Sequence, residues 1–139
     1  MTIRLTRRYQ FSASHRLHAK ELSEQSNQEL YGKCNHPFGH GHNYEVEVTV
    51  RGPVDTLTGR VVDLQALDRL VHKTVTGPFD HRNLNEEVPE FQHLVPTTEN
   101  LAVIVDRRLR AEWPASFAGL EPALERVRIY ETARNIFEI

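Results

Sequence analysis

The stretch "YEVEVTVR", residues 44–51, constrains the fold more than any other part of the chain. Tyr44, Val46, Val48 and Val50 alternate with Glu45, Glu47, Thr49 and Arg51, and a period of two puts the apolar set on one face of a strand and the polar set on the other. Such a strand needs a sheet with one covered face, because its large apolar side chains gain most by leaving water together. A second segment, "TIRLTRRYQFSASH", repeats the pattern with Ile3, Leu5, Tyr9 and Phe11, interrupted by Arg7, and reads as a long strand ending near His15.

The cover comes from two helical patterns. Asp63 is an N-cap for Leu64, Leu67, Leu70, Val71 and Val75 at helical spacing, until "TGPFD" stops the run. Thr97 and Thr98 cap a second helix whose Leu101, Ile104, Val105 and Leu109 share a face, and "WPASFAGLEP" breaks it. "ERVRIYE" and "RNIFEI" supply two further short strands. Between the first two strands, residues 18–43 form a long connection with little periodicity. "RGPVDTLTGRVVDL" offers Pro53, Asp55 and Gly59 as turn residues before a short strand at "RVV", a hairpin. The order is ββααββ: an α+β fold, a four-stranded antiparallel sheet with two helices on one face. Its other face and its edges stay uncovered, so the chain is expected to oligomerise.

At 139 residues the chain reads as one domain, 1–139. A net charge of -2 with 26% charged residues disfavours nucleic-acid binding through a strong basic field. The longest aliphatic run, "LAVIV", is far too short to span a membrane, and "MTIRLTRRYQF" has no apolar segment of signal-peptide length, so a soluble, cytoplasmic protein is expected. One cysteine, Cys34, excludes an internal disulfide and any zinc site needing several thiolates. A metal here must be held by histidine or carboxylate.

"CNHPFGHGHNY" places His40 and His42 one residue apart where the alternating strand begins. Residues i and i+2 of a strand point to one side, and His15 at the end of the first strand lies nearby if the two strands pair as a hairpin. Three imidazoles and an open position describe a catalytic zinc site. The spacing alone leaves a second reading open, in which these are ordinary strand residues. His18, His36, His72 and His93 read as solvated or packed side chains. Cys34 could act as base or nucleophile beside positive charge. Asp80 can orient the adjacent His81 for general acid or base work. Glu131, at a strand end, could accept paired hydrogen bonds from a guanidine-like ligand edge.

Taken together, "FSASHRL", "LYGKCNHPFGHGHNYEVEVTV", "VVDLQAL", "FDHRNLN", "VPTTENLAV" and "VRIYETARN" resemble the 6-pyruvoyl tetrahydropterin synthase family in order and spacing, over essentially the whole chain. The resemblance implies the tunnelling fold (T-fold), in which three subunits join sheets into a barrel and two trimers stack as a homohexamer with active sites at subunit interfaces. It implies that His15, His40 and His42 bind Zn2+, that Cys34 is the catalytic base and that Asp80 and His81 come from a neighbouring subunit. Glu131 is implied as the pterin anchor, with Thr97 and Thr98 helping to hold the ring. The implied substrate is the small molecule 7,8-dihydroneopterin triphosphate, converted to 6-pyruvoyl-tetrahydropterin with loss of triphosphate. Arg16, Lys33 and Arg82 are triphosphate candidates by proximity. Five residues between Cys34 and His40 resemble the pyruvoyl-forming pattern; the alternative is the related 6-carboxytetrahydropterin synthase of the queuosine pathway, which also releases acetaldehyde. His36 and Phe38 depart from the small polar residues expected in that loop, and bear on substrate side-chain preference. A non-catalytic pterin- or zinc-binding relative is disfavoured by Cys34, Asp80 and His81 occurring together, and GTP cyclohydrolase I by its need for two cysteines.

Overall fold

The alternation at 44–50 is realised as a half-buried strand: Tyr44, Val46, Val48 and Val50 are each 1% exposed or less. In this computed structural model, which describes residues 1–119 and 121–139, the elements in chain order are β1 (Thr2–His15), α1 (Glu24–Tyr31), β2 (His40–Pro53), α2 (Leu64–Val71), α3 (Gly77–Phe79), β3 (Arg82–Asn83), α4 (Leu84–Glu87), α5 (Thr98–Ser116), β4 (Ala123–Tyr130) and β5 (Ile136–Glu138). β1 and β2 form the central antiparallel pair, in register from Thr2↔Pro53 to His15↔His40.

The sheet differs from the expected four antiparallel strands. It has five, in the order β3-β1-β2-β4-β5, and β3 pairs parallel to β1. β3 is two residues long, too short to carry a period, and it lies beside β1 because the chain leaves α3 at that edge. No strand forms at "RVV". Asp55 instead closes the loop on itself, its carboxylate accepting from the backbone of Leu57 and Thr58 while its own N–H reaches Arg60 O. Val62 is buried from that irregular segment without a strand partner.

α2 starts where its cap predicts, with Asp63 Oδ1 accepting from Gln65 N and Ala66 N. Leu67, Leu70 and Val71 are buried, each contributing about 1.5–3 kcal/mol of apolar burial. The helix does not stop at Val71: a π-helical stretch, His72–Thr76, carries it into α3 and seats Phe79 in the core. α5 is capped by the Thr97 hydroxyl on Asn100 N and buries Leu101, Ile104, Val105, Leu109 and Trp113. It passes through Pro114 to Ser116, further than its sequence break suggests; Leu120 of that break lies outside the described residues. Residues 18–43, expected to be irregular, contain α1. Its only buried side chain is Asn27, which bonds the backbone of Ala19, Leu22 and Ser23, so no apolar stripe announced it.

Arg7, which interrupts the β1 alternation, forms a bidentate pair with Asp68 of α2, joined by the Tyr9 hydroxyl. The opposite face of the sheet is largely polar, with Ile136 exposed at its β5 end. Thr6 meets Thr49, Arg8 and Tyr130 meet Glu47, and Ser12 meets Asn43. That face is ordered by its own hydrogen bonds while carrying no apolar cover.

Candidate metal centre and active site

The β1/β2 register sets His15 opposite His40, and His42 follows on the same face two residues along. The three imidazoles meet at the covered end of the sheet. His15 Nε2 lies 3.2 Å from His40 Nε2, which lies 2.9 Å from His42 Nε2. Their available ring nitrogens all fall within 4.8 Å of one another, the only such metal-competent group among the described residues. The sequence folds this way partly because of Gly39. Its φ of +74° suits glycine, and a Cβ there would come within 2.8 Å of the His15 carbonyl oxygen.

The outer side of the trio fixes its chemistry. His15 is 1% exposed, and its Nδ1 lies 2.7 Å from the Pro96 carbonyl, which can only accept. The proton therefore sits on Nδ1, and Nε2 offers a lone pair to the centre. Burial pushes the His15 imidazole down to about 4, against the pull of the Pro96 carbonyl. Burial also lowers His40, with His42 adding to the effect. At neutral pH these are the uncharged forms that ligate metals. Nitrogens at about 2.0–2.1 Å from a tetrahedral ion are about 3.3 Å apart, close to the spacing found. A histidine-only set of three with an open side fits zinc.

Glu131 reaches this end from the close of β4. Thr98 donates to its Oε2, and its charge opposes the lowering of both His15 and His40. The two threonines divide their work: Thr97 caps α5, and Thr98, 1% exposed, holds Glu131. Cys34 lies in the helical turn Gly32–Asn35, half-buried, its carbonyl accepting from Leu17 N.

One residue of the site had not been singled out by sequence reasoning. Tyr44 continues the His40, His42 period, and its hydroxyl is 3.4 Å from His15 Nδ1. Burial raises its phenol well above the ordinary value, Glu131 and Cys34 raise it further, and the Thr98 side chain opposes them. The period-two spacing held this signal, but an aromatic on a covered face reads first as core.

Asp80 and His81 sit at the β1 edge, where His81 lines one cavity together with His42. Asp80 Oδ1 accepts from Ser12 N and lies 3.0 Å from His81 Nδ1, while His81 N donates to Ser12 O. The Ser12 hydrogen bond, then that from His81, holds the Asp80 carboxyl below its usual range. His81 has φ +59°, rare for a residue with a Cβ. Its side chain is 83% exposed. Among the described residues no hydrogen bond links Asp80 or His81 to the trio, Glu131 or Cys34. Of the other basic candidates, Arg16 is turned onto Asn35 O and Arg82 onto Glu87, whereas Lys33 is exposed beside a cavity that reaches His40.

The comparisons decide the family. A family model described as 6-pyruvoyl tetrahydropterin synthase matches residues 4–139. The chain belongs to the 6-pyruvoyl tetrahydropterin synthase family. It is 48% identical over 132 residues to 6-pyruvoyl tetrahydrobiopterin synthase of Poecilia reticulata, covering 95% of this chain and 86% of that one. It is 46% identical to the Homo sapiens protein of that name, covering 95% and 87%. Among solved structures it superposes on Caenorhabditis elegans 6-pyruvoyl tetrahydropterin synthase with a TM-score of 0.89 at 38% identity, covering 100% of this chain and 95% of that one. The geometry described above is therefore that of a family member. Among the described residues no helix is long and apolar enough to cross a membrane.

Proposed function

We propose that this protein is a zinc-dependent 6-pyruvoyl-tetrahydropterin synthase, a single domain over 1–139 that eliminates triphosphate from 7,8-dihydroneopterin triphosphate and leaves 6-pyruvoyl-tetrahydropterin. The convergence of the ring nitrogens of His15, His40 and His42 within 4.8 Å of one another, with Glu131 near enough for its charge to act on His15 and His40, is the observation that carries this reading. Relatives named 6-pyruvoyl tetrahydrobiopterin synthase, at 46–48% identity over most of the chain, support it.

Zinc, held by the three histidines, would polarise side-chain oxygens of the substrate and acidify the neighbouring C–H bonds. The remaining work belongs to the chain. Glu131, steadied by Thr98, accepts from the guanidine-like edge of the pterin and points its side chain toward the trio. Thr97 stays a helix cap near the ring. Cys34 removes a proton from the side chain, and the neighbouring Asp80 keeps His81 turned to return or relay one. Loss of triphosphate and the following shifts of hydrogen are internal to the substrate, so no outside oxidant is needed. A lone working thiol suits the reducing cytoplasm.

The absence, among the described residues, of any hydrogen bond from Asp80 or His81 to the trio, and the exposure of His81, support assembly as a homohexamer in which a neighbour supplies this pair. The polar sheet face then lines the interior of a trimeric barrel, closing β3 and β5 against other subunits.

The test is incubation of zinc-loaded protein with 7,8-dihydroneopterin triphosphate. Triphosphate release without acetaldehyde is expected. Acetaldehyde in step with triphosphate would move the protein to 6-carboxytetrahydropterin synthesis, and no release from fully metallated protein would overturn the assignment.

A further inference from the structure

The triphosphate of the proposed substrate brings several negative charges, and nothing in the chemistry above meets them. It is carried at the end of the short side chain whose oxygens face the trio, so its seat must adjoin the histidines. One cavity reaches the trio past His42, with Ser12, His81, Arg82 and Glu87 in its lining. Another, of about 640 Å³, reaches it past His40, with Gln28, Lys33 and His36 in its lining. Both volumes suit a small-molecule site.

Charge separates the two. In the first, Arg82 is already paired with Glu87 at 3.4 Å, and Glu87 is fixed in turn by Asn83 N at 2.7 Å. A polyphosphate there would meet a fixed carboxylate. The second cavity has no acidic residue in its lining, and its Lys33 is exposed. His36 is exposed as well, yet held in place. Its N–H donates to Lys33 O, its carbonyl accepts from Gly39 N, and its Nδ1 accepts from Phe38 N at 3.3 Å. A ring that accepts at Nδ1 carries its neutral-form proton on Nε2, which is then a donor for a phosphate oxygen. The Phe38 ring, 5.8 Å away, stands against the same imidazole. The two departures from small polar residues in this loop therefore work together, with Phe38 steadying His36.

We propose that the acid-free cavity beside the Cys34 turn seats the triphosphate, with Lys33 as its counter-ion and His36 as a directional donor that selects for a phosphorylated side chain. Lysine suits this role as a point charge that can follow a flexible phosphate chain. The inference rests on reading the substrate as a pterin triphosphate.

The test is calorimetric titration of the zinc-loaded protein with inorganic triphosphate, beside 7,8-dihydroneopterin, which has no phosphates. Lys33→Ala is expected to weaken triphosphate binding about tenfold or more, the worth of a hydrogen bond to a charged group, and His36→Ala about threefold or more. Both variants should bind 7,8-dihydroneopterin as the parent does, which a merely misfolded loop beside His40 would not. With the full substrate, kcat/KM should fall by the same factors. Unchanged triphosphate affinity in either variant, or a loss found instead in Arg82→Ala, overturns the proposal while parental turnover leaves the underlying reading intact. Triphosphate binding through Lys33 and His36 in a protein that releases none from the pterin substrate would uphold the seat and overturn the underlying reading.

Discussion

His15 is the residue on which most of the account turns, because it is the only member of the trio that is both buried and locked in tautomer. Its folded value of about 4 lies below the ordinary 6.5. The unfolded chain therefore binds more protons between those values, and stability falls as pH drops through that window. Metal-free wild type is expected to lose stability relative to His15→Gln from pH 6.5 down to 4, and to hold a constant difference above it, as read by chemical denaturation at fixed pH steps. Cys34 makes a different prediction. Cys34→Ala should retain zinc and pterin while turnover falls by about 10²-fold or more, the usual contribution of a proton-transferring group; unchanged turnover would remove Cys34 from the mechanism. At this scale the sequence was informative where a spacing had chemical meaning. His40 and His42 at i, i+2, with His15 on the paired strand, were legible before any coordinates. The Pro96 carbonyl was not, because a backbone acceptor 81 positions from its donor leaves no mark in side-chain pattern.

At the scale of elements, one glycine, Gly39, bears on the site through the backbone, and Gly59 is its control. Gly39 and Gly59 have similar φ, +74° and +72°, but a Cβ at Gly39 meets the His15 backbone at 2.8 Å whereas one at Gly59 meets nothing within 4 Å. Gly39→Ala is expected to cost about 1–3 kcal/mol in backbone strain, with more from the contact, and to weaken zinc binding. Gly59→Ala should lose stability for its φ alone and bind zinc as the parent does, and equal zinc affinities in the two variants would detach Gly39 from the site. The elements that the sequence revealed were those with a readable period: β1, β2, α2, α5, β4 and β5. Those it hid had physical reasons to be hidden. α1 buries an asparagine rather than an apolar stripe, β3 is two residues long, and the π-helical turn at 72–76 preserves an apolar pattern while shifting its phase. That shift ends in Asp80 and the left-handed His81, so the least legible stretch is also the one that presents the pair proposed for proton transfer.

For the whole molecule, the uncovered sheet face foreseen from two helices on one side is present, but it is polar and internally paired rather than apolar. Such a face suits the lining of an assembly better than a dry interface. If neighbouring subunits complete each site, two inactive proteins should complement. Mixed assemblies of Cys34→Ala with His81→Ala, formed by joint refolding, are expected to recover part of the wild-type turnover, since some interfaces bring an intact Cys34 to an intact His81. Failure to recover, with mixed hexamers verified by native mass spectrometry, would place the pair in service of its own chain. The claim beneath every scale is that the fold gathers three histidines to hold zinc and leaves Cys34 free to act. Zinc X-ray absorption on the assembled protein tests this most directly. Three imidazole nitrogens at about 2.0–2.1 Å and no sulfur are expected. A sulfur neighbour at about 2.3 Å would make Cys34 a ligand instead of a base, and fewer than three histidines in the shell would contradict the trio.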